Sequence, residues 1–121
     1  MLEVKQKLLN ARTTTPTDGT NTINLRGFAG DLKIYVIGAA GVTAGVVVIE
    51  EAFQDDEAAD PPTAYTGTWD QDGASFTVGN DTVQTLSLSG CFTGLRARIT
   101  TTISGGSTPS VTVWVVGNGR R

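Results

Sequence analysis

The sequence predicts an all-β protein, and three observations favour this class over a helical one. Glycine accounts for 15 of the 121 residues, and threonine and valine recur throughout. Charged residues make up only 17%, below the ~25% of ordinary globular domains. Apolar and polar residues alternate with a period of two in several segments that polar turns separate. We therefore expect one antiparallel β-sandwich domain, of jelly-roll or immunoglobulin-like topology.

The first 24 residues differ in character from the rest. Residues 1–12 mix charged with apolar residues, and residues 13–24 are polar and rich in threonine. Two interpretations stay open: an extended N-terminal arm that reaches a neighbouring chain, or an edge strand followed by a threonine-rich link. We divide the chain into this N-terminal segment (residues 1–24), a β-sandwich domain (residues 25–119) and a short tail (residues 120–121).

The next segments contain two clear strand patterns. Residues 31–37 alternate between apolar and polar positions, as a half-buried strand does. Residues 45–53 form a β-branched run that becomes acidic at its end. A charge run and a double proline at residues 54–62 cannot continue a strand, so we expect a solvated loop there. The residues predicted to face the core in the first strand are Leu32, Ile34 and Val36.

The remaining strands lie in the second half of the chain. Turns are expected at residues 70–73 and 79–81, whose Gly, Asn and Asp residues tolerate positive φ angles. The last two strands alternate and are predicted to pair with each other as a hairpin. The predicted strands are residues 63–69, 75–78, 82–88, 94–103 and 111–116.

Residue types needed for several kinds of chemistry are missing. The sequence contains no histidine, which is the commonest general base and transition-metal ligand. The single cysteine, Cys91, cannot form an internal disulfide, which fits assembly in a reducing cytoplasm. We expect Cys91 to be a small buried side chain. The sequence therefore predicts no enzyme activity, no cofactor and no metal site.

Charge and hydropathy disfavour two kinds of partner. The net charge of −3 and the lack of a basic cluster argue against a nucleic-acid partner. No secretory signal is visible at the N-terminus, and no run of about 18 apolar residues is present. We therefore expect neither nucleic acid nor membrane among the partners.

A cluster of acidic residues has two interpretations, a calcium-binding site or a solvated loop. The spacing of these residues matches no EF-hand loop, so a solvated loop is the simpler interpretation. Glu50 and Glu51 are neighbours on a predicted strand and point to opposite faces, which is the wrong geometry for a glycosidase pair. The clustered acids are Glu50, Glu51, Asp55, Asp56, Glu57 and Asp60.

Two further groups of side chains have alternative interpretations. The aromatic residues are either core anchors or a platform for sugar rings. Arg96 and Arg98 share one strand face and are either solvated or paired with an acidic partner surface. The aromatic residues concerned are Tyr35, Tyr65, Trp69 and Trp114.

A resemblance to a known family covers most of the chain. Residues 4–12 open with Val-Lys-Gln-Lys-Leu-Leu-Asn-Ala-Arg and are followed by the threonine-rich link and the segment that ends at Trp69. Residues 94–99 read Gly-Leu-Arg-Ala-Arg-Ile, and residues 111–119 read Val-Thr-Val-Trp-Val-Val-Gly-Asn-Gly. Together these segments resemble the capsid decoration, or cement, proteins of tailed bacteriophages.

The resemblance implies a virion structural protein that is made in the host cytoplasm and coats the outer capsid surface. Its implied partners are the major capsid protein, whose neighbouring subunits it bridges, and itself as a homodimer or homotrimer. Another phage structural module (tail, fibre or head completion) and a carbohydrate-binding β-sandwich stay open as alternatives. The predicted partner-binding residues are Val4, Lys5, Lys7, Leu8, Leu9, Arg12, Arg96 and Arg98.

Overall fold

The computed structural model describes residues 2–56, 58–64 and 68–121, and these residues contain strands and loops but no helix. The strands are β1 (Leu2–Arg12), β2 (Thr22–Gly38), β3 (Ala44–Ala52), β4 (Asp70–Thr77), β5 (Val83–Ser104) and β6 (Val111–Arg120). They form one antiparallel sheet in the order β1-β6-β2-β5-β3-β4. The prediction of an antiparallel all-β fold is confirmed, whereas this strand order does not confirm a jelly roll.

The long strands β2 and β5 lie at the centre and run through both halves of the sheet. The C-terminal part of β2 pairs with β6, and β6 pairs with the edge strand β1. The C-terminal part of β5 pairs with β3, and β3 pairs with the edge strand β4. We call β1-β6-β2-β5 the β1 half and β2-β5-β3-β4 the β4 half.

One core receives alternate side chains from both halves. Val113 of β6, Ile34 of β2 and Ile49 of β3 are completely buried in the same cluster. As predicted, Leu32 and Val36 face this core beside Ile34. Because strands at opposite sides of the sheet share one core, the sheet bends around it. Each fully buried aliphatic side chain contributes about 1.5–3 kcal/mol to this packing.

The link after β1 closes the bend. Residues 13–21 run along the part of β5 that β2 leaves unpaired. The amide of Ile103 donates to the carbonyl of Thr13 at 3.0 Å. The hydroxyl of Thr15 accepts from the amide of Ile99 at 2.9 Å and donates to the same residue's carbonyl at 3.2 Å. The polar link is therefore tied to the sheet through both its backbone and its side chains.

The N-terminal segment is an edge strand and not an extended arm. β1 pairs with β6 from Leu2 opposite Gly119 to Arg12 opposite Val111. Its apolar side chains complete the core: Val4 is 7% exposed, and Leu8 and Leu9 are each 1% exposed. Because Val4, Leu8 and Leu9 fill the core of their own chain, they cannot also contact a neighbouring chain.

Several local predictions were wrong because pairing between distant segments overrides local pattern. Residues 63, 64, 68 and 69 are not in a strand, and residues 65–67 lie outside the described residues. Residues 70–73 belong to β4, because β3 pairs with them. Two predicted strands, 82–88 and 94–103, are one continuous strand, β5.

The C-terminal strand also differs from the prediction. β6 pairs with β1 and β2, whereas the sequence pattern predicted a hairpin with the preceding strand. It continues to Arg120, which pairs with Ala29. The side chain of Arg121 donates from Nε to the carbonyl of Leu25 at 3.3 Å. Arg120 therefore belongs to β6, and Arg121, which follows the strand, is tied to β2 through its side chain.

Cys91 is exposed, which corrects the expectation of a buried thiol. Its neighbour Phe92 is only 4% exposed and faces the core. Because successive side chains of a strand point to opposite faces, Phe92 occupies the inward position and Cys91 points outward.

Candidate interaction surfaces

Two arginines of β5 hold one glutamate of β3 on the outer face of the β4 half. The strand register places Glu50 opposite Arg96. Arg96 donates from Nε to Oε1 of Glu50 at 2.8 Å. Arg98 donates from Nε to Oε1 at 3.0 Å and from Nη2 to Oε2 at 3.1 Å. The period of two puts both arginines on this face, while Leu95 before them and Ala97 between them fill the core.

Glu50 is ionised and holds the two guanidinium groups in place. Its side chain is 7% exposed, against 27% for Arg96 and 43% for Arg98. Burial alone raises the pKa of Glu50, but the hydrogen bonds from Arg98 and Arg96 and their positive charges outweigh it and hold the pKa below 4.5, its ordinary value. The same hydrogen bond raises the pKa of Arg98. At neutral pH all three groups are charged.

Trp69 completes this group. The guanidinium carbon of Arg96 lies 4.4 Å from the centroid of the Trp69 ring, within cation–π distance. Trp69 is half-buried in the segment before β4, so it is neither on a strand nor in the core. We call Glu50, Arg96, Arg98 and Trp69 the arginine cluster.

A groove of about 410 Å³ opens beside the arginine cluster. Arg96, Arg98 and Trp69 line it, together with the link after β1 and the proline loop before β4. The two walls meet closely at Gly19, whose φ is +81° and where a Cβ atom would lie 2.5 Å from Cγ of Pro61. Only glycine tolerates both this positive φ angle and this close approach to Pro61 without strain. The wall residues are Thr15, Pro16, Thr17, Gly19, Asn21, Thr22, Pro61, Pro62, Thr63 and Ala64.

The outer face of the β1 half carries lysines beside aromatic rings. The strand register aligns them in two neighbouring rows across β1, β6 and β2. Lys7 Nζ lies 5.1 Å and Lys5 Nζ 5.8 Å from the centroid of the Trp114 ring. The two rows are Lys7-Trp114-Tyr35 and Lys5-Val116-Lys33. We call these six residues the lysine face.

Tyr35, Trp69 and Trp114 lie outside the core, so the interpretation of these residues as core anchors is wrong. Trp114 and Tyr35 are half-buried on the lysine face. The third lysine of this face, Lys33, has its Nζ 5.5 Å from the centroid of the Tyr35 ring. Tyr65 lies outside the described residues. A sugar ring stacking on Trp114 would have to displace the lysine ammonium groups above it.

The predicted partner-binding residues fall into two groups. Val4, Leu8 and Leu9 are buried in the core and are not available on the surface, which corrects their assignment. The charged members remain exposed or half-exposed: Lys5 and Lys7 lie on the lysine face, and Arg96 and Arg98 lie in the arginine cluster. Arg12 is exposed at the end of β1, where its Nε donates to the carbonyl of Thr14 at 3.4 Å.

Sequence reasoning missed the partners of these residues. Glu50 is 46 positions from Arg96 and 48 from Arg98, and no local pattern links them. The outward position of both arginines was predictable from the alternation in β5. The glutamate's location opposite them depended on the register of β3, which only the assembled sheet defines.

A second acidic pair lies on the other face of β3. Burial, the neighbouring Asp72 and the charge of Asp70 raise the pKa of Glu51. Burial and Asp70 raise the pKa of Asp72, although a hydrogen bond with Glu51 opposes this. Oδ2 of Asp72 is enclosed and has no hydrogen-bond partner among the described residues. As predicted, Glu50 and Glu51 point to opposite faces of the strand. The pKa of Glu50 is lowered, whereas the pKa of Glu51 is raised.

The described residues contain no group of three or more His, Cys, Asp or Glu side chains placed to hold a metal ion. Within the same part of the chain, no helix has the length and apolar character needed to cross a membrane.

The fold and its surfaces define a small protein with one bent antiparallel sheet and two outer surfaces that combine cations with aromatic rings. No family model matches the chain, and no curated protein or solved structure matches it either.

Proposed function

We propose that the chain is a virion structural protein that decorates a phage capsid and stabilises it by bridging neighbouring major capsid protein subunits. The observation that best supports this proposal is the division of exposed cations between two surfaces. The lysine face lies on the β1 half and the arginine cluster on the β4 half. A protein that bridges two neighbours needs two contact surfaces, because simultaneous binding raises the effective concentration at the second site.

Both surfaces are complementary to an acidic partner. Lys5, Lys7 and Lys33 concentrate positive charge on one surface, although the whole chain has a net charge of −3. Opposite charges across an interface accelerate encounter and set orientation. The net negative charge disfavours a location against packaged DNA and is compatible with the outer surface of the capsid.

The aromatic rings reduce the entropic cost of binding. Trp114 and Tyr35 hold the lysine side chains above them, and Trp69 holds Arg96. Side chains that are ordered before association lose less rotamer freedom when the partner arrives. This organisation suits a permanent structural contact and requires no cofactor or catalytic group.

Binding to a symmetric shell favours a symmetric protein. We propose a homodimer or homotrimer, since such assemblies fit local two-fold or three-fold axes of a capsid. Assembly in the host cytoplasm suits the exposed thiol of Cys91, which a reducing environment keeps free.

The two alternatives have less support. A carbohydrate-binding module would stack a sugar on an exposed ring, but lysines lie over Trp114 and Tyr35, and an arginine lies over Trp69. A tail, fibre or head-completion module would use the same kind of surfaces in a ring of fixed subunit number.

Co-sedimentation with emptied phage heads that lack the protein tests the proposal, after light scattering has given the solution mass. We expect a dimer or trimer that pellets with the heads and saturates at a fixed ratio to the lattice sites. The double variant Lys5→Gln/Lys7→Gln should weaken binding, and so should raised salt, which screens exposed charges. Arg26→Gln, which removes an exposed cation from outside both surfaces, is the matched control.

Three results would contradict the proposal. The protein stays in the supernatant at every ratio, it closes into rings that ignore the shell, or its tryptophan fluorescence responds to a glycan while heads have no effect.

A further inference from the structure

We infer that the groove beside the arginine cluster binds a carboxylate on an extended segment of a partner protein. The inference deepens the proposed function, on which it rests for the identity of the partner, by assigning the contact chemistry of one of the two surfaces.

Among the described residues that line the groove, the charges do not balance. Two guanidinium groups face one carboxylate, so the cluster retains one positive charge. Glu50 engages Nε of both arginines and Nη2 of Arg98. Neither Nη group of Arg96 donates to a described residue, and nor does Nη1 of Arg98. These groups are strong donors, and no described residue supplies an acceptor for them.

The remaining donors are held in position before any ligand arrives. Glu50 fixes one edge of the Arg96 guanidinium, and the ring of Trp69 fixes one face. Arg98 is fixed by two parallel hydrogen bonds to the same carboxylate. Preorganised guanidinium groups match the two oxygens of a carboxylate. A single carboxylate also balances the single excess charge, whereas a phosphate dianion exceeds it.

The walls of the groove suit an extended peptide. Pro16, Pro61 and Pro62 contribute apolar ring surfaces without amide donors, and Trp69 adds an aromatic edge. The volume of about 410 Å³ lies within the ~300–1,000 Å³ of typical ligand clefts. It accommodates one acidic side chain together with its flanking residues.

The neighbouring charges confine the anion to this groove. Asp18 and Asp60 line an adjoining depression, which shares Gly19 and Pro61 with the groove. They repel a carboxylate from that side and leave the arginine side as the favourable one. A larger depression of about 540 Å³ on the β1 half is lined by both Asp31 and Lys33 and offers no excess charge.

The experiment uses Trp69 as the reporter. The chain has two tryptophans, so Trp114→Phe leaves Trp69 as the only indole. A blocked pentapeptide with one central glutamate and alanine at the other positions is titrated against this protein. Three further ligands are titrated separately: the same peptide with glutamine in place of glutamate, acetate, and inorganic phosphate. The signal in each titration is the indole N–H resonance of Trp69.

Three variants locate the site. Arg96→Gln removes the free donors but leaves the Arg98–Glu50 pair, so the buried carboxylate keeps a partner. Thr17→Tyr fills the groove from an exposed wall position and leaves both arginines unchanged in the sequence. Arg26→Gln removes an exposed cation that lies outside both interaction surfaces and is the control. Each variant is first shown to unfold cooperatively.

We expect the glutamate peptide to shift the Trp69 resonance saturably, and the glutamine peptide to bind about tenfold more weakly or not at all. Arg96→Gln should weaken glutamate-peptide binding about tenfold, Thr17→Tyr should abolish it, and Arg26→Gln should leave it unchanged. Equal binding of the two peptides, stronger binding of phosphate, or no saturable response would overturn the inference. Because this titration contains no capsid, its outcome is independent of head binding. The Arg96→Gln variant is also tested for co-sedimentation with heads. If it binds the heads with the affinity of the wild type, the groove is not the docking site, and the proposed decoration function still stands.

Discussion

Arg98 holds Glu50 through two parallel hydrogen bonds, from Nε to Oε1 at 3.0 Å and from Nη2 to Oε2 at 3.1 Å. The planar fork of a guanidinium presents both donors at once, which a lysine ammonium cannot do. The pair joins the middle of β3 to the C-terminal part of β5 on the face opposite the shared core. It therefore supports the register of the β4 half from outside.

Glu50→Gln should destabilise the protein by about 2 kcal/mol, because it removes charge-assisted hydrogen bonds from a buried site. The lowered pKa of Glu50 means that its contribution to stability is fully present above pH 4.5, its ordinary pKa. The contribution is lost as the pH falls through the lower pKa of the folded state. Urea unfolding at several pH values measures both effects, and equal stability of the variant and the wild type at pH 7 would contradict this prediction.

Glu51→Gln should have the opposite effect and stabilise the protein at pH 7 by about 0.5–1 kcal/mol. The pKa of Glu51 is raised, so at a pH between 4.5 and the raised pKa the folded chain holds a proton that the unfolded chain has released. Wild-type stability therefore falls as the pH rises from 4.5, the ordinary pKa of a glutamate, through the raised pKa. The gain from the substitution should shrink at lower pH, where Glu51 is protonated in both states.

The exposed residue Asp55 provides the control for Glu51. Asp55→Asn removes one negative charge from the loop after β3 and should change the stability by less than about 0.5 kcal/mol. A gain from Asp55→Asn as large as the gain from Glu51→Gln would show that net charge, and not the local pair, causes the effect.

Removal of residues 1–12 should prevent folding. These residues supply an edge strand, and Leu8 and Leu9 are almost fully buried. The milder substitution Leu8→Ala should cost about 2–5 kcal/mol, whereas Lys5→Ala at an exposed position should cost less than about 0.5 kcal/mol. Circular dichroism and thermal unfolding measure both. A truncated chain with a wild-type unfolding transition would show that the segment acts as a detachable arm.

The thiol of Cys91 should react with a soluble disulfide reagent in the native protein, because the side chain is exposed. One equivalent of thiol should be titrated without denaturant, at a rate close to that of the unfolded chain. Reaction only after unfolding would show that the thiol is protected, as a buried cysteine or one covered by a second copy of the chain would be.

Local pattern predicted much of the sheet. The alternation at residues 31–37 and 94–103 correctly separated inward from outward side chains, and with it the exposed position of Arg96 and Arg98. It failed at residues 70–73, where turn-forming residues lie in β4, because the pairing with β3 decides the conformation there. Alternation states which way a side chain points but carries no information on which strand lies beside it.

The sequence by itself determined the all-β class, the inward and outward faces of the main strands, and the lack of histidine. Only the tertiary structure decided that Glu50 lies between two arginines, that Trp69 stacks on one of them, and that the N-terminal segment completes the core. The reason is the range of the interactions: side-chain alternation is set by the backbone geometry of adjacent residues. The interaction surfaces depend on the register of strands that are tens of residues apart, and burial of the shared core selects that register.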